Sequence, residues 1–340
     1  MNHKVVIEPS QRIFTVEQGE SILDAALRHG LNLPYGCRNA VCGSCKGQLL
    51  EGQVEYGEFE PEGLTKEEQD RGLILFCRAI PKSDLRISAE EMTTTQGIEI
   101  KRLPARVTSL EKIAPDVMKL LLKIPQTERM QFLAGQYIDI LLENDRKRSF
   151  SIANAPHNDE LIELHIRHVE GGGFTDHVFN SMKEKDILRI EGPLGSFFLR
   201  EESDRPKIFM AGGTGFAPIK GIIEHAFAEG LTQPMALYWG ARARVDLYLD
   251  ELARNWEQHE NFTYVPVLSA PDAADQWQGR QGMVHEALCK DYPDMQGIDV
   301  YAAGPPPMVQ AGKAHFFDQG LPDDRYFYDS FDFAPDAARK

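Results

Sequence analysis

The stretch that decides the fold is CRNAVCGSC at residues 37–45, in which three cysteines stand in the order C-x4-C-x2-C. Together with the distant Cys77 they supply four thiolates, in the set and spacing that hold a [2Fe–2S] cluster. Glycines in and beside this stretch allow a short loop to wrap an inorganic core and to direct backbone N–H groups at its sulfurs. The predicted metal ligands are Cys37, Cys42, Cys45 and Cys77. The spacing thus predicts a chain that moves single electrons.

Zinc and disulfides are the two other readings of these cysteines. Zinc sites usually contain two close C-x2-C pairs, and here only Cys42 and Cys45 form one. Disulfides require an oxidising compartment, for which the sequence gives no indication. The spacing favours the cluster over zinc, the stronger of the two rivals. Cys289 lies in the apolar-periodic stretch MVHEALCKDY and is predicted to be a buried helical thiol without chemistry.

Length and composition bound the organisation of the chain. Its 340 residues are too many for one ordinary core, so two or three domains are expected. A hydrophobic content of 42% and a charged content of 26% are typical of a soluble globular protein. The start, MNHKVVIEPS, lacks an apolar signal core, and no stretch approaches a membrane span in length. We therefore expect a cytoplasmic protein with no membrane partner.

The charge is strongly acidic. A formal net charge of −15 argues against a nucleic-acid partner, because phosphate binding requires a basic surface. Residues 51–70 hold eight acids against Lys66 alone. These acids are Glu51, Glu55, Glu58, Glu60, Glu62, Glu67, Glu68 and Asp70. They indicate either a solvated loop and helix edge or a docking face that steers a basic redox partner, and both readings stay open.

The first 95 residues are predicted to form a small domain around the cysteine loop. The pattern predicts strands over Lys4–Glu8 and Arg12–Val16, a helix over Ser21–His29, and further short strands to Ile87. This arrangement is a β-grasp fold of the ferredoxin type. The polar run at residues 93–97 follows and reads as an interdomain linker.

Two further domains are predicted from a change in rhythm along the chain. Residues 100–202 carry alternating strand patterns such as ARVTSL, KLLLKI, QYIDILL and LIELHIRHV, which predict an antiparallel β-barrel. After Pro206 strands and helices alternate, with helices expected at 219–229, in LYLDELARNWEQH, in MVHEALCKDY and near 308–319. Residues 205–340 are therefore predicted to form a doubly wound parallel α/β domain.

Four short motifs in these two domains suit phosphate and ring recognition. RSFS at 148–151 ends a barrel strand with an arginine and serines, which can bind phosphate and a heterocycle nitrogen. GGGFT at 171–175 and GGTGFAP at 212–218 place glycines at predicted helix starts, where backbone N–H groups bind pyrophosphate. AGPPPM at 303–308 follows a later strand at the same edge of the sheet. Taken singly, RSFS is also compatible with an exposed strand end, and each of the two glycine motifs with an ordinary turn.

Together these residues resemble the ferredoxin–NADP⁺ reductase superfamily with an N-terminal ferredoxin domain. The same order of domains occurs in reductase components of methane, phenol and benzoate oxygenases. The resemblance covers nearly the whole chain and implies FAD and NADH as cofactors. It places Ser151 at flavin N5 and Arg148 at the flavin phosphate. The residues it assigns to FAD are Arg148, Ser149, Phe150, Ser151, His165, Ile166, Arg167, Gly173, Phe174, Thr175 and Phe331.

The resemblance also assigns the nucleotide site and the catalytic residues. Gly213, Thr214 and Gly215 would cradle the NAD pyrophosphate, and Gly304, Pro305 and Met308 would shape the nicotinamide pocket. The catalytic residues would be Ser151, Asp329 and Phe331, with the Phe331 ring covering or bordering the isoalloxazine. Two residues depart from the family pattern: Ala303 replaces a frequent cysteine, and Asp329 replaces the usual glutamate.

The implied activity is electron transfer from NADH through FAD and the cluster to a partner protein. Residues 35–57 and 326–334 look most like reductases that serve a dehydrase in deoxysugar synthesis. A reductase component of an aromatic or alkane oxygenase is the alternative, and a non-catalytic redox sensor is a third. NADPH stays possible, because Arg242 and Arg244 could bind a 2′-phosphate, whereas Asp246 nearby would disfavour one.

Overall fold

The computed structural model describes residues 2–57, 60–95, 97–144 and 146–331. The chain divides into two compact units, residues 1–98 and residues 99–340. In the part of the chain that the structure describes, none of the helices combines the length and the hydropathy that crossing a membrane requires.

The first unit is built on a five-stranded sheet. The strands of the whole unit are β1 (His3–Glu8), β2 (Arg12–Val16), β3 (Lys46–Glu51), β4 (Val54–Glu55), β5 (Leu73–Leu75), β6 (Ile80–Pro81) and β7 (Leu85–Ser88). Its helices are α1 (Ile22–Arg28) and α2 (Lys66–Asp70). The sheet order is β2-β1-β7-β3-β5, and β4 pairs with β6 separately. The β1–β7 pair is parallel and its neighbours in the sheet are antiparallel.

Local sequence explains the start of this unit. Val5, Ile7 and Phe14 alternate with more exposed neighbours and fill the core. Ser21 caps α1 by accepting a hydrogen bond from the Asp24 N–H at 3.1 Å, which satisfies one free donor of the first turn. The two strands and the helix predicted here are confirmed. The short helix α2 lies within residues 51–70, where a helix edge was expected but no bounds were predicted.

The second unit begins with a six-stranded antiparallel sheet. Its strands are β8 (Lys101–Ala114), β9 (Val117–Lys123), β10 (Tyr137–Leu141), β11 (Lys147–Ser151), β12 (Ile162–Arg167) and β13 (Ile187–Leu194). The order is β11-β10-β13-β8-β9-β12, and helix α3 spans Gly173–Asn180. An isolated antiparallel bridge joins Ile152, directly after β11, to Leu164 of β12. The two edge strands therefore meet at this point.

The rest of the second unit is a six-stranded parallel sheet with helices. The strands are β14 (Lys207–Gly212), β15 (Met235–Ala241), β16 (Phe262–Leu268), β17 (Arg280–Gln281), β18 (Asp299–Gly304) and β19 (Tyr326–Ser330). The helices are α4 (Phe216–Ala228), α5 (Asp250–Asn255), α6 (Val284–Asp291) and α7 (Pro306–Asp318). Short 3-10 helices span Gly213–Gly215, Arg244–Asp246, Trp256–Gln258, Ala273–Asp275 and Asp323–Arg325. The order is β17-β16-β15-β14-β18-β19.

Both faces of the parallel sheet are buried. Along β14, Phe209 and Ala211 join a core cluster that includes Phe216 of α4, whereas Ile208 and Met210 join a second cluster on α6 and α7. Successive residues of a strand point to opposite faces, so helices must cover both sides of the sheet. The parallel sheet predicted after residue 206 is confirmed.

Two element boundaries differ from the prediction. Helix α4 begins at Phe216 rather than at residue 219, because Pro218 lies in its first turn, where a missing N–H costs nothing. Residues 326–330 form β19, which pairs in parallel with β18 and was not predicted as a strand. This pairing matters for the site, because it brings Asp329 beside Ala303 at the carboxyl edge of the sheet.

Candidate redox site

The four predicted cysteine ligands lie in one loop region of the first unit and form two pairs. Cys37 and Cys42 contact each other, and Cys45 and Cys77 share a side-chain hydrogen bond. Cys45 and Cys77 are buried, and the other two are half-buried. Among the described residues, no three histidine, cysteine or acidic side chains surround a single metal ion. Two thiol pairs suit a cluster of two irons, each of which takes two thiolates.

The backbone of the loop is shaped to face these sulfurs. The N–H groups of Asn39 and Cys42 point at the Cys37 sulfur from 3.3 and 3.4 Å. Arg38 and Ala40 adopt positive φ angles of 58° and 61°, which non-glycine residues rarely do. Such strain persists only where the surrounding structure imposes it, and it is common at functional sites. The donor set and the directed N–H groups both fit a [2Fe–2S] cluster.

The pairing of the thiols shifts their proton affinities in opposite directions. Hydrogen bonding within the first pair raises the pKa of Cys37 and lowers that of Cys42. The second pair behaves in the same way, with the pKa of Cys45 raised and that of Cys77 lowered. One thiol of each pair is therefore the more readily ionised. Cys289 is half-buried in α6, so it is less buried than predicted.

The last residue of the predicted flavin motif contacts a residue that lies far away along the chain of the second unit. Ser151, the last residue of β11, is buried, and its hydroxyl donates a 3.0 Å hydrogen bond to the carboxylate of Asp329, 178 residues away. Burial raises the pKa of Asp329 to about 6, although the hydrogen bond from Ser151 opposes this shift. A hydroxyl and a buried acid near neutrality can together hold or move a proton.

The other residues of RSFS have different surroundings. The Arg148 guanidinium donates to the Lys147 carbonyl at 2.8 Å, and the Ser149 hydroxyl donates to Asp139 at 2.6 Å. The Phe150 ring lies 5.6 Å from that of Phe174, centroid to centroid, beside the core of the antiparallel sheet.

Sequence reasoning missed a charged group beside this strand. Lys147 pairs with Glu191, and Arg102 binds the same carboxylate at 2.7 Å. Burial would raise the pKa of Glu191, but Lys147 and Arg102 lower it. These residues come from three strands, so no local pattern could have joined them.

The glycine turn before α3 is closed by Thr175. Its hydroxyl accepts from the Val169 N–H at 3.1 Å and lies 3.1 Å from the Gly172 carbonyl. The space around Gly173 is open, with no other group within 4 Å of where a Cβ would stand. The side-chain position of residue 173 is therefore open, whereas the Thr175 hydroxyl is already engaged within the turn.

The residues of β12 that were predicted to bind FAD lie on two opposite faces of the strand. The Ile166 side chain is fully buried in the core of the antiparallel sheet, so only its backbone can be reached by a ligand. On the other face, His165 binds Tyr248 through Nδ1 and Glu163 through Nε2, at 3.1 and 2.8 Å. Arg167 lies beside Gly213, and its Nε is 3.3 Å from the Asp116 carboxylate, whereas its Nη2 is buried without a hydrogen-bond partner among the described residues. An unsatisfied buried guanidinium N–H is a candidate phosphate ligand.

The glycine turns of the parallel sheet meet at its carboxyl edge. A Cβ on Gly215 would lie 1.9 Å from the Ala303 carbonyl oxygen, so only glycine fits there. The Phe331 N–H donates to the Gly304 carbonyl at 2.9 Å, which joins the chain end to the second turn. Gly213, Thr214 and Pro305 belong to the same edge.

Two further side chains support these turns. The Met308 sulfur abuts Gly212, 2.5 Å from where a Cβ would stand, and the Trp239 indole donates to the Gly213 carbonyl at 3.0 Å. Trp239 was not among the predicted site residues, because its contact with Gly213 depends on the pairing of β15 with β14. Ligands of open parallel sheets bind at this edge, and the glycine turns leave backbone there for a dinucleotide.

The arginines predicted to discriminate between the two nicotinamide cofactors follow β15. Arg242 lies 3.4 Å from the carboxylate of Asp246, which is buried and also accepts from the Ala243 N–H at 3.3 Å. The Arg244 side chain is exposed, and its backbone N–H donates to Asp275. The charge of Arg242 is therefore already balanced within the loop.

A thiol-lined loop, a buried serine–acid pair and glycine turns at the carboxyl edge of a parallel sheet together suit an electron-transfer reductase dependent on NAD(P)H. Comparisons with known proteins give the same class. The chain matches the 2Fe-2S iron-sulfur cluster binding domain over residues 5–82. It matches the oxidoreductase FAD-binding domain over 104–199 and the oxidoreductase NAD-binding domain over 209–313. The predicted cofactors, a [2Fe–2S] cluster, FAD and NAD, are confirmed.

Several relatives that match along the full length are named as reductases or reductase components. CDP-6-deoxy-L-threo-D-glycero-4-hexulose-3-dehydrase reductase of Yersinia pestis is 40% identical over 332 residues, covering 97% of this chain and 99% of that protein. The phenol 2-monooxygenase reductase component of Pseudomonas sp. strain CF600 is 36% identical, covering 99% and 97%. The crystal structure of Amycolatopsis cytochrome P450 reductase GcoB superposes with a TM-score of 0.80 at 34% identity, covering 97% and 98%.

The chain belongs to this family of iron–sulfur flavoprotein reductases, which joins a ferredoxin-type domain to a ferredoxin reductase-like fold. The resemblance inferred from the motifs is confirmed, including its similarity to the reductase of a deoxysugar dehydrase. As an oxidoreductase with all three domain types, the protein is an enzyme rather than a cluster-binding module alone.

Proposed function

We propose that this reductase carries electrons from NADH to a dehydrase that acts on a nucleotide-linked 6-deoxyhexulose. The observation that supports this partner is the 40% identity, over 97% of the chain, to a reductase of such a dehydrase. A reductase for an oxygenase is the second candidate, supported by 36% identity over 99% of the chain to a phenol monooxygenase component. Motifs for the cofactors are common to both, so only the protein acceptor separates them.

The finer architecture is part of the same proposal. We assign residues 1–95 to a β-grasp domain, since α1 follows a hairpin in a mixed five-stranded sheet. Residues 100–202 form a β-barrel that closes where Ile152 bridges Leu164. Residues 205–340 form the nucleotide domain. A cytoplasmic location suits thiolate ligands that must stay reduced.

The flavin site in this proposal is centred on Ser151. When bound, FAD supplies the step between two-electron transfer from NADH and one-electron transfer to iron and sulfur. Ser151 holds the ring edge, and Asp329 orients its hydroxyl through the 3.0 Å hydrogen bond. Phe331 borders the ring, and its backbone is fixed by Gly304. Arg148 and the first N–H groups of α3 neutralise the FAD phosphates.

The nucleotide site in this proposal is the glycine edge of the parallel sheet. Residues 213–215 hold the NAD pyrophosphate, and Arg167 beside Gly213 adds a cation to it. Gly304, Pro305 and Met308 border the nicotinamide. NADH is favoured over NADPH because the Asp246 carboxylate already pairs with Arg242 and would repel a 2′-phosphate nearby.

A docking face for the partner protein lies beside the cysteine loop. The Gly63 N–H donates to the Ala40 carbonyl at 2.8 Å, so the neighbouring acids Glu60 and Glu62 flank the loop. Glu67 on α2 is also exposed. Other acids are paired internally, as Glu68 is with Lys46 at 2.6 Å, and Glu58 lies outside the described residues. Exposed carboxylates here attract a basic partner by long-range electrostatics.

Reconstituted turnover tests the partner. The protein, loaded with FAD and cluster, is mixed with NADH and either a purified CDP-6-deoxyhexulose dehydrase with its substrate or a purified phenol monooxygenase with phenol. We expect NADH oxidation coupled to deoxysugar product only with the dehydrase. Coupled phenol hydroxylation without deoxysugar formation would assign the second function instead.

A further inference from the structure

One face of β12 points away from the core of the antiparallel sheet toward the nucleotide-binding part of the second unit. Ile162, Leu164 and Ile166 fill the core, whereas the alternate residues Glu163 and His165 do not. His165 reaches Tyr248, which follows β15, and Glu163 reaches Lys220 of α4 at 3.4 Å. These polar side chains therefore connect the two sheets of the unit.

Lys220 is the centre of this connection. It is only 7% exposed, and its ammonium lies 3.2 Å from the Ala153 carbonyl, 3.0 Å from Glu224 and 3.4 Å from Glu163. A buried ammonium is costly unless acceptors surround it, and here three do. The contact with Ala153 reaches the backbone just after Ser151, and α4 itself begins just after the glycine turn at 213–215.

Helix α4 and the segment after Ser151 lie close together around Lys220. A Cβ on Gly221 would lie 3.0 Å from the Asn154 carbonyl oxygen, so α4 packs directly on residues 152–154. Burial would raise the pKa of Glu163, but His165 and Lys220 lower it to about 2, so it is ionised at neutral pH. Burial lowers the pKa of His165, which keeps its imidazole neutral there. The charge on Lys220 is thus opposed by a fixed carboxylate.

We propose that Lys220 is a positioning residue for hydride transfer, which sets the distance between the Ser151 strand end and the glycine turn at 213–215. This inference rests on the proposed binding of FAD and NADH at these two places. Reacting atoms must approach to about 3–3.5 Å, and a displacement of about 1 Å slows such reactions about 100-fold. A single ammonium that binds both segments limits that displacement.

The experiment compares Lys220→Met with wild type and with Lys290→Met, which removes an exposed lysine of α6. Rapid mixing with NADH under anaerobic conditions measures the flavin reduction rate at saturation and the Kd for NADH separately. We expect Lys220→Met to slow reduction about 10- to 100-fold, with full FAD content and a Kd within about threefold of wild type. Lys290→Met keeps the wild-type rate.

Hydrogen–deuterium exchange on the same proteins gives a readout independent of activity. Lys220→Met should speed exchange in residues 150–155 and 216–226 and leave residues 1–95 unchanged. Lys220→Gln, which retains N–H donors without the charge, should recover part of the rate and of the protection, and it replaces the methionine variant if that one does not fold.

An unchanged reduction rate in these variants would overturn the inference, as would a loss confined to FAD content or to Kd. A wild-type flavin that NADH does not bleach would instead contradict the proposed function, so the two failures are distinguishable.

Discussion

The cysteine loop and the Ser151–Asp329 contact are assembled in opposite ways. Three of the four thiols lie within residues 37–45, whereas the serine and the acid are 178 residues apart and meet through β11 and β19. The first depends on spacing along the chain, and the second on contact between the ends of two strands that belong to different sheets. The difference implies that each centre can be disabled separately, which the following variants exploit.

The largest expected effect comes from the cysteine loop. Cys45→Ser removes one of four thiolates from the cluster, and we expect reduction of cytochrome c, a one-electron protein acceptor, to fall at least about 100-fold. Flavin bleaching by NADH should stay within about twofold, because the Ser151 region is untouched. Iron content and the two rates are measured together, with Cys289→Ser as the control. Unchanged cytochrome c reduction in Cys45→Ser would contradict the cluster assignment.

A smaller effect is expected at the strand-assembled centre. Ser151→Ala removes the hydroxyl that Asp329 orients, and we expect NADH to bleach the flavin about 10- to 100-fold more slowly. Iron content should remain that of wild type. The exposed Ser181→Ala serves as the matched control. If Ser151→Ala bleaches at the control rate, the serine has no part in the reaction.

The same contact predicts a pH dependence. The pKa of Asp329 is raised to about 6, so the carboxylate is protonated below that pH and is no longer a charged acceptor for the Ser151 hydroxyl. Flavin reduction in wild type should therefore fall about 10-fold from pH 7 to pH 5, and Asp329→Asn should flatten this profile. Rates are measured at saturating NADH. An identical profile in both proteins would assign the titration to another group.

The smallest effect concerns the acidic face beside the cysteine loop. The triple variant Glu60→Lys, Glu62→Lys, Glu67→Lys should slow reduction of the partner protein about fivefold at low ionic strength. The difference should vanish at about 0.5 M salt, where exposed charges are screened. Ferricyanide reduction is the control, since a small acceptor needs no docking face. A slowdown that persists at high salt would point to lost packing instead.

Local signals made much of the fold predictable. The strands and helix near the start, the glycine turns and the four thiols depend on neighbours in sequence, so their patterns were readable. Strand β19 was not predicted, because the residues YFYDS were interpreted only as part of a cofactor motif. Their pairing with β18 is what makes them a strand. The alternation of Glu163 and His165 along β12 was a usable signal for a second polar face. The burial of Lys220 was not, since it depends on a neighbouring sheet.

The cofactor contacts predicted by resemblance fall into two groups, backbone positions and side chains. Gly215 was predicted from a local glycine turn, whereas the reason that no other residue fits there is its contact with the Ala303 carbonyl of β18. Side chains such as His165 and Thr175 are engaged with protein groups instead, because strand faces and turn closure determine where they point. Their assignment to FAD stays a prediction.

The most direct test of the central claim is an anaerobic titration of the purified holoprotein with NADH, followed by visible absorbance. FAD takes two electrons and the cluster one, so bleaching of both should be complete at about 1.5 equivalents of NADH. In Cys45→Ser only the flavin should bleach, at about one equivalent. A wild-type spectrum that NADH leaves unchanged, or metal analysis that returns zinc in place of iron, would contradict the account.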